Sequence, residues 1–234
     1  MSKSFQLKQK DFLLIDDPVL HSGSFNMEFD EWLFDLSRKK KSPPVFRLYG
    51  WREPALTIGK FQTIEKEIDL AKCRKENIPI LKRPTGGRAI LHQVDEVTLS
   101  FIIPRYVIRP YDFRTVFLFV AEHLCQGFGH LNIKARINQT PTHYENSPHC
   151  FQSVSRYEVV DENGNKLVGL AQLFKPESSL IQGSIPLGAP DNHMSIFKRK
   201  SSFLNEIMKK DLDVPSVRKA VIKGFKDLRF QRFF

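Results

Sequence analysis

Residues 154–187 read VSRYEVVDENGNKLVGLAQLFKPESSLIQGSIPL, and the way this stretch turns back on itself decides the fold class. Val154 to Val160 reads as a strand, Lys166 to Phe174 as the strand that returns from it, and Ser179 to Leu187 as the next. Between the first two stands Asp161-Glu162-Asn163-Gly164. Asn-Gly tolerates the positive φ of a type I′ turn, so a tight hairpin is expected here. Working outward, Leu131 to Ile137 alternates like a strand and Tyr111 to Gly127 is a long helix. Val97 to Ile103 (VTLSFII) is β-branched enough to be a strand, and Ile78 to Arg83 is another candidate, entered from an amphipathic helix over Glu65 to Asn77. Val45 to Trp51 and Ala55 to Gly59 are short strands around the Arg52-Glu53-Pro54 turn. Phe25 to Lys41 carries Phe25, Phe29, Trp32, Leu33 and Leu36 at helical spacing, with Ser24 as its N-cap. Helices over Ser202 to Lys210 and Val217 to Leu228 close the chain. Helices interleaved with short, hairpin-connected strands predict an α+β fold, mostly antiparallel mixed sheets with flanking helices.

Composition narrows the class further. Of 234 residues, 41% are hydrophobic, 20 of them Phe, and 26% are charged, which is enough for a core and too little charge for disorder. No internal repeat or linker divides the chain, so residues 1–234 read as a single domain. No apolar run reaches the roughly 18 residues of a membrane helix, and Met1 to Lys10 lacks the apolar core of a secretory signal. Its lysines and Asp11 also fit an Arg-rich transit peptide poorly. With Cys73, Cys125 and Cys150 too few for a disulfide framework, the expected compartment is the cytoplasm. Lys and Arg number 36 against 26 Asp and Glu, a net charge of +10 that suits anionic partners. The densest run, Arg38-Lys39-Lys40-Lys41, reads as a solvated helix end, and no RNA-recognition signature or zinc finger accompanies it. Neither nucleic acid nor membrane is expected as a partner.

Three segments could carry chemistry. In KRPTGGRAILH (Lys82 to His92), Gly86 and Gly87 let the backbone approach a ligand and expose amide donors, while Arg83 and Arg88 add positive charge; an ordinary turn would look the same. Cys150 stands in the polar loop Asn146-Ser147-Pro148-His149-Cys150-Phe151, where a thiolate could be exposed, or where an unpaired thiol could simply sit. Lys166 opens a strand whose Gly169 and Ala171 leave room on one face for a ligand, although a lysine there also suits a solvated hairpin. His92 alone reads as a polar surface or supporting residue. No His, Cys and carboxylate spacing resembles a metal site.

Taken jointly, these segments resemble the lipoate-protein ligase and octanoyltransferase superfamily, relatives of the biotin ligases. The resemblance rests on FRLYGWREPALTIGKFQ (Phe46 to Gln62), KRPTGGRAILH, GNKLVGLAQ (Gly164 to Gln172), IQGSIPL (Ile181 to Leu187) and the opening NMEFDE (Asn26 to Glu31), which occur in the family's order over roughly residues 12–190. It implies a biotin/lipoate ligase catalytic-domain fold. It also implies that Arg83, Gly86, Gly87, Arg88, Ala89 and His92 wall an acyl pocket, that Gly169, Ala171, Gly183 and Ser184 adjoin it, and that Lys166 contacts the acyl carbonyl. Where ATP-using ligases tend to carry Asn-Asp, the octanoyltransferase branch has Cys-Phe, as here in Cys150-Phe151; the resemblance thus makes Cys150 the nucleophile. Leu170 and Lys175 depart from the family pattern, which favours a small residue and an arginine at these places.

The implied activity is octanoyl transfer from an octanoyl acyl carrier protein, through an acyl-enzyme on Cys150, to the acceptor lysine of lipoyl domains or glycine-cleavage H protein. It requires no cofactor. The alternative is an ATP- and Mg-dependent lipoate-protein ligase, and a non-enzyme alternative is a binder of acidic lipoyl or carrier domains. Only some 45 residues follow Leu187, so no accessory C-terminal domain is expected.

Overall fold

In the computed structural model, which describes residues 5–63, 68–140, 156–188, 204–209 and 211–233, alternation along the strands sorts the chain into layers. The elements in order are β1 (Gln6–Leu7), β2 (Asp11–His21), α1 (Gly23–Arg38), β3 (Val45–Trp51), β4 (Ala55–Ile58), α2 (Leu70–Lys75), β5 (Ile80–Lys82), β6 (Ile90–His92), β7 (Glu96–Pro104) and β8 (Ile108–Arg109). They continue with α3 (Phe113–Gly129), β9 (Arg136–Ile137), β10 (Val159–Val160), β11 (Gly169–Phe174), β12 (Ser178–Pro186), α4 (Leu204–Met208), α5 (Val214–Gly224) and β13 (Arg229–Arg232). A six-stranded sheet runs β11-β12-β7-β3-β2-β13, and a three-stranded sheet β5-β4-β6 stands beside it. The pairs β11–β12, β12–β7, β7–β3 and β4–β6 are antiparallel, whereas β2–β3, β2–β13 and β4–β5 are parallel. The α+β fold of mostly antiparallel mixed sheets therefore stands.

Period-2 alternation gives the large sheet two different faces. Phe46 and Leu48 of β3, Leu99 and Phe101 of β7 and Ile181 and Ile185 of β12 face α3 and α5 and form the main core with Phe119, Leu124 and Phe225. α3 and α5 approach closely enough that a Cβ on Gly224 would fall 2.4 Å from the His123 carbonyl. The opposite face meets α1 and is mixed: Val45, Ile102 and Leu180 pack on Leu33 and Phe34, while Arg47, Ser100 and Gln182 bring polar groups to the same layer. Among the described residues no helix is long and apolar enough to cross a membrane.

Several local expectations are corrected. α1 begins at Gly23 because the N-cap is Ser22, whose Oγ accepts from the Phe25 N–H at 3.3 Å, not Ser24. It ends at Arg38, where Lys40 turns to φ 59°. Of the expected helix 65–77, residues 65–67 lie outside the described residues, and the rest is helical only over Leu70–Lys75, capped by Asp69. Of the Asn163-Gly164 pair only Gly164 has positive φ (87°), so the turn is not type I′. Asp161 closes a wider turn instead, its carboxylate accepting from the Asn165 N–H at 2.8 Å. Lys166 then pairs with Val160, and the strand that goes on to β12 starts only at Gly169. Of the strand expected over 131–137, only Arg136–Ile137 pairs. β2 and β13 are strands that sequence reading missed. β2 hides because Asp16-Asp17-Pro18 interrupt its apolar pattern, and a register shift between Asp16 and Leu20 accommodates them.

Candidate active site

The site begins with buried polar groups on the α1 face of the large sheet. Asp30, one turn after Asn26, accepts from Arg47 Nη1 (2.8 Å), Ser100 Oγ (2.9 Å), Tyr49 OH (3.1 Å) and Gln182 Nε2 (2.9 Å). Arg47 also donates to Asn26 Oδ1 at 2.7 Å and stacks over the Tyr49 ring at 3.9 Å. Gln182 Oε1 in turn accepts from Thr85 Oγ1 at 2.8 Å. Helix α1 is thereby tied, through a β12 side chain, to the Pro84-Thr85-Gly86-Gly87 turn.

That turn is held from inside by Arg83. Its Nη2 donates to the carbonyls of Gly86 and Arg88, both at 2.7 Å, and its Nη1 to the Thr57 carbonyl at 3.2 Å. Gly87 sits at φ 90°, a conformation that side chains other than glycine rarely adopt, and a Cβ there would lie 2.9 Å from Arg83 Nη2. Nothing would obstruct a Cβ on Gly86, whose Cα faces open space. Arg83 thus ties the turn to β4 and acts by positioning it.

His92 lies in a second buried network. Its Nδ1 is 2.7 Å from Glu96 Oε1, its Nε2 is 2.8 Å from Thr57 Oγ1, and its ring stacks on Trp51 at 3.9 Å. Glu96 also accepts from Thr98 Oγ1, from Ser184 Oγ at 3.1 Å and from the Gln93 N–H. Burial alone would raise the Glu96 carboxyl, but the His92 charge and these hydrogen bonds hold it below the usual carboxylate range.

A cavity of about 390 Å³ opens between the Gly86-Gly87 turn and β11. Phe113 and Phe117, one turn apart at the start of α3, form its apolar wall with Leu170 and Ala171. Lys166 lines it too, with its side chain 1% exposed and Nζ donating to Glu158 Oε1 at 2.6 Å. Arg88, Arg114, Arg156 and Tyr157 supply the polar remainder. A second cavity of about 20 Å³ lies among Arg83, His92, Gly169, Gly183 and Ser184, and Ala171 borders both.

The structure therefore brings Gly86, Gly87, Arg88, Lys166 and Ala171 around the larger space, and Arg83, His92, Gly169, Gly183 and Ser184 around the smaller. Ala89 is fully buried in the satellite core with Leu56, Ile58 and Leu91. Cys150 lies outside the described residues. Sequence reading missed Glu158, Arg114, Arg156 and the Asp30 network. The first three carry no local signal, whereas Asn26 and Asp30, polar residues four apart on the face of α1 that carries Met27, Leu33 and Phe34, could have been noticed. Among the described residues no cluster of three His, Cys, Asp or Glu side chains could hold a metal ion. The other two thiols are inert in character: burial pushes Cys73 up and Cys125 up to about 12.

This arrangement of two sheets, a clamped diglycine turn and a lysine-lined cavity belongs to a known class. The chain is a member of the lipoyl protein ligase A/B catalytic domain family, which matches residues 22–226. Among its relatives, octanoyltransferase LipM of Geobacillus kaustophilus is 32% identical over 226 residues, covering 86% of this chain and 81% of that protein. Octanoyltransferase LipM of Bacillus subtilis is 34% identical over 228 residues, covering 87% and 81%. A solved structure of lipoate-protein ligase A bound with ATP has the same fold, with a TM-score of 0.72 at 20% identity over 97% of this chain and 90% of that one.

Proposed function

We propose that the protein transfers an octanoyl group from an acyl carrier protein to the acceptor lysine of a lipoyl domain or glycine-cleavage H protein, through an acyl-enzyme on Cys150. The observation that carries this reading is the cavity of about 390 Å³, apolar on the Phe113, Phe117 and Leu170 side and lined by Lys166, in a chain 32% identical to an octanoyltransferase. The volume falls within the range of about 300–1,000 Å³ usual for small-molecule sites. Raised thiol pKa values at Cys73 and Cys125 favour Cys150 as the nucleophile.

In the first step the Cys150 thiolate attacks the thioester carbonyl of the donor. The bond from Sγ to the acyl carbon forms, the carbon–sulfur bond to the carrier breaks, and the carrier thiolate takes up the proton that Cys150 gave to solvent. In the second step the neutral amine of the acceptor lysine attacks the same carbon. The amide forms, the bond to Sγ breaks, and the amine's proton returns to Sγ. Lys166 stabilises the developing oxyanion and the thiolate, with backbone N–H groups of the Gly86-Gly87 turn sharing the oxyanion's charge. No nucleotide or metal enters either step.

Intact mass spectrometry after mixing with octanoyl carrier protein tests this directly. The expected result is a gain of one octanoyl group that disappears in Cys150→Ser. A protein that takes no acyl group from the thioester, yet modifies a lipoyl domain from free octanoate or lipoate with ATP, would be a ligase instead.

A further inference from the structure

We infer that Arg114 and Arg156 form an anion subsite at the cavity, shaped for the phosphate on the pantetheine arm that presents a carrier's acyl thioester. The inference rests on the transferase reading and names how that site recognises its donor. The two arginines come from elements far apart in sequence, the start of α3 and the segment before β10, and both line the cavity that Lys166 lines. Their guanidinium carbons lie 4.9 and 5.1 Å from the centroid of the same Tyr157 ring, which holds them within about 10 Å of each other.

Neither guanidinium has a structural duty of the kind other arginines perform here. Arg47 pairs with Asp30, Arg218 with Asp16 and Arg229 with Asp11, and Arg83 donates to the Gly86, Arg88 and Thr57 carbonyls. Among the described residues neither Arg114 nor Arg156 pairs with a carboxylate; both only stack on Tyr157. Tyr157 is itself held at φ 75°, unusual for a bulky residue, with its N–H donating to the Asn138 carbonyl at 2.8 Å. The segment thus fixes an aromatic platform that aims two cations into one space.

Among the described residues that line the cavity four are cationic, Arg88, Arg114, Arg156 and Lys166, and one is a carboxylate, Glu158, which Lys166 engages. An octanoyl chain is apolar and accounts for Phe113, Phe117 and Leu170, not for this surplus. A forked guanidinium matches the oxygens of a phosphate, so a ligand apolar at one end and phosphorylated at the other satisfies both halves. An acyl thioester on a phosphopantetheine arm has that construction. A nucleotide phosphate would present the same oxygens, and the experiment separates the two.

Acylation rates are compared for octanoyl-4′-phosphopantetheine and octanoyl-pantetheine, which share one thioester and differ in the phosphate. The expected kcat/KM ratio favours the phosphorylated donor about tenfold or more, the effect of one or two charge-assisted hydrogen bonds. In Arg114→Gln/Arg156→Gln the ratio falls toward one. Equal rates from both thioesters in the wild type, or a ratio that survives the double substitution, would overturn the subsite and leave the transferase reading intact. Acylation by neither thioester, together with ATP-dependent use of free octanoate, would overturn both.

Discussion

Replacing Asp30 by Asn removes one charge from the middle of the α1 layer while nearly preserving shape. In the native protein the Asp30 and Arg47 side chains are both 0% exposed and 2.8 Å apart. Breaking such a pair by removing one partner costs about 3–5 kcal/mol, because the remaining charge stays buried without compensation. Arg47 keeps a hydrogen bond to Asn26 Oδ1 and its stacking on Tyr49, so the lower end, about 3 kcal/mol, applies. Against an m-value of about 3 kcal/mol/M, that lowers the urea midpoint by roughly 1 M. The new amide also meets the Gln182 Nε2 and Tyr49 OH donors that Asp30 accepted, which loosens the tether from Gln182 to Thr85. Acylation should therefore slow even at temperatures where the variant is folded. Urea unfolding and the rate of octanoyl adduct formation are the measurements. A second variant, Asp30→Leu with Arg47→Met, takes both charges out of the interior and should regain most of the stability but not the rate. An Asp30→Asn protein within about 0.5 kcal/mol of the wild type, or a charge-free pair no more stable than Asp30→Asn, would refute this account of the buried network.

Gly87→Ala is expected to cost about 1–2 kcal/mol in a thermal melt, from the left-handed backbone alone, whereas Gly86→Ala, with open space at its Cβ, should stay within about 0.5 kcal/mol of the wild type; equal losses would show that the turn is not under this constraint. The folded-state pKa of Glu96 is depressed, so its contribution to stability is present above the ordinary value of 4.5 and is lost as pH falls through the lower folded value. Glu96→Gln should accordingly be less stable at pH 7 and show a flatter fall in urea midpoint below pH 4.5, while an unchanged acid slope would count against the role of His92. Leu170 lines the cavity and fills the space left by its cross-strand partner Gly183, where a Cβ would be 2.9 Å from Leu170 Cδ2. Leu170→Ala should cost about 2 kcal/mol and raise acylation by decanoyl relative to octanoyl thioester; an unmoved chain-length preference would show that Leu170 does not limit the pocket.

The elements legible in the sequence are those whose partners match their own pattern. Val97 to Ile103 reads as a strand because four of its residues face the main core at period 2, and β7 runs Glu96–Pro104. The helix expected over 111–127 is α3, shifted by two residues to the cap that Asp112 supplies. β2 is illegible for the opposite reason. Its Asp16 is met by Arg218, about two hundred residues later, and its Asp17 by His21, so its polar interruption looks like a break. β13 is short and largely exposed, and pairs only through β2. At the site, the diglycine turn and Lys166 are visible as motifs. Glu158, Tyr157 and the two arginines are not, because what unites them is the cavity wall rather than any spacing along the chain.

The placement of that wall depends on polar contacts more than on apolar ones. β3 and β4 are consecutive in sequence yet lie in different sheets, so the small sheet could slide over the large one if only its own satellite core of Leu56, Ile58, Ile68 and Cys73 held it. Apolar surfaces tolerate such slippage because burial is non-directional. Hydrogen bonds do not. Thr85 to Gln182, His92 between Thr57 and Glu96, and the Trp51 indole N–H to Thr98 at 2.7 Å each cross from one sheet to the other or brace the residue that does. A shift of one residue in either sheet would leave several of these buried groups unpaired at about 1–3 kcal/mol each. A turn whose amides are proposed to share an oxyanion's charge needs them fixed to a fraction of an ångström, and a polar seam with one satisfied register supplies that where a purely apolar interface would not.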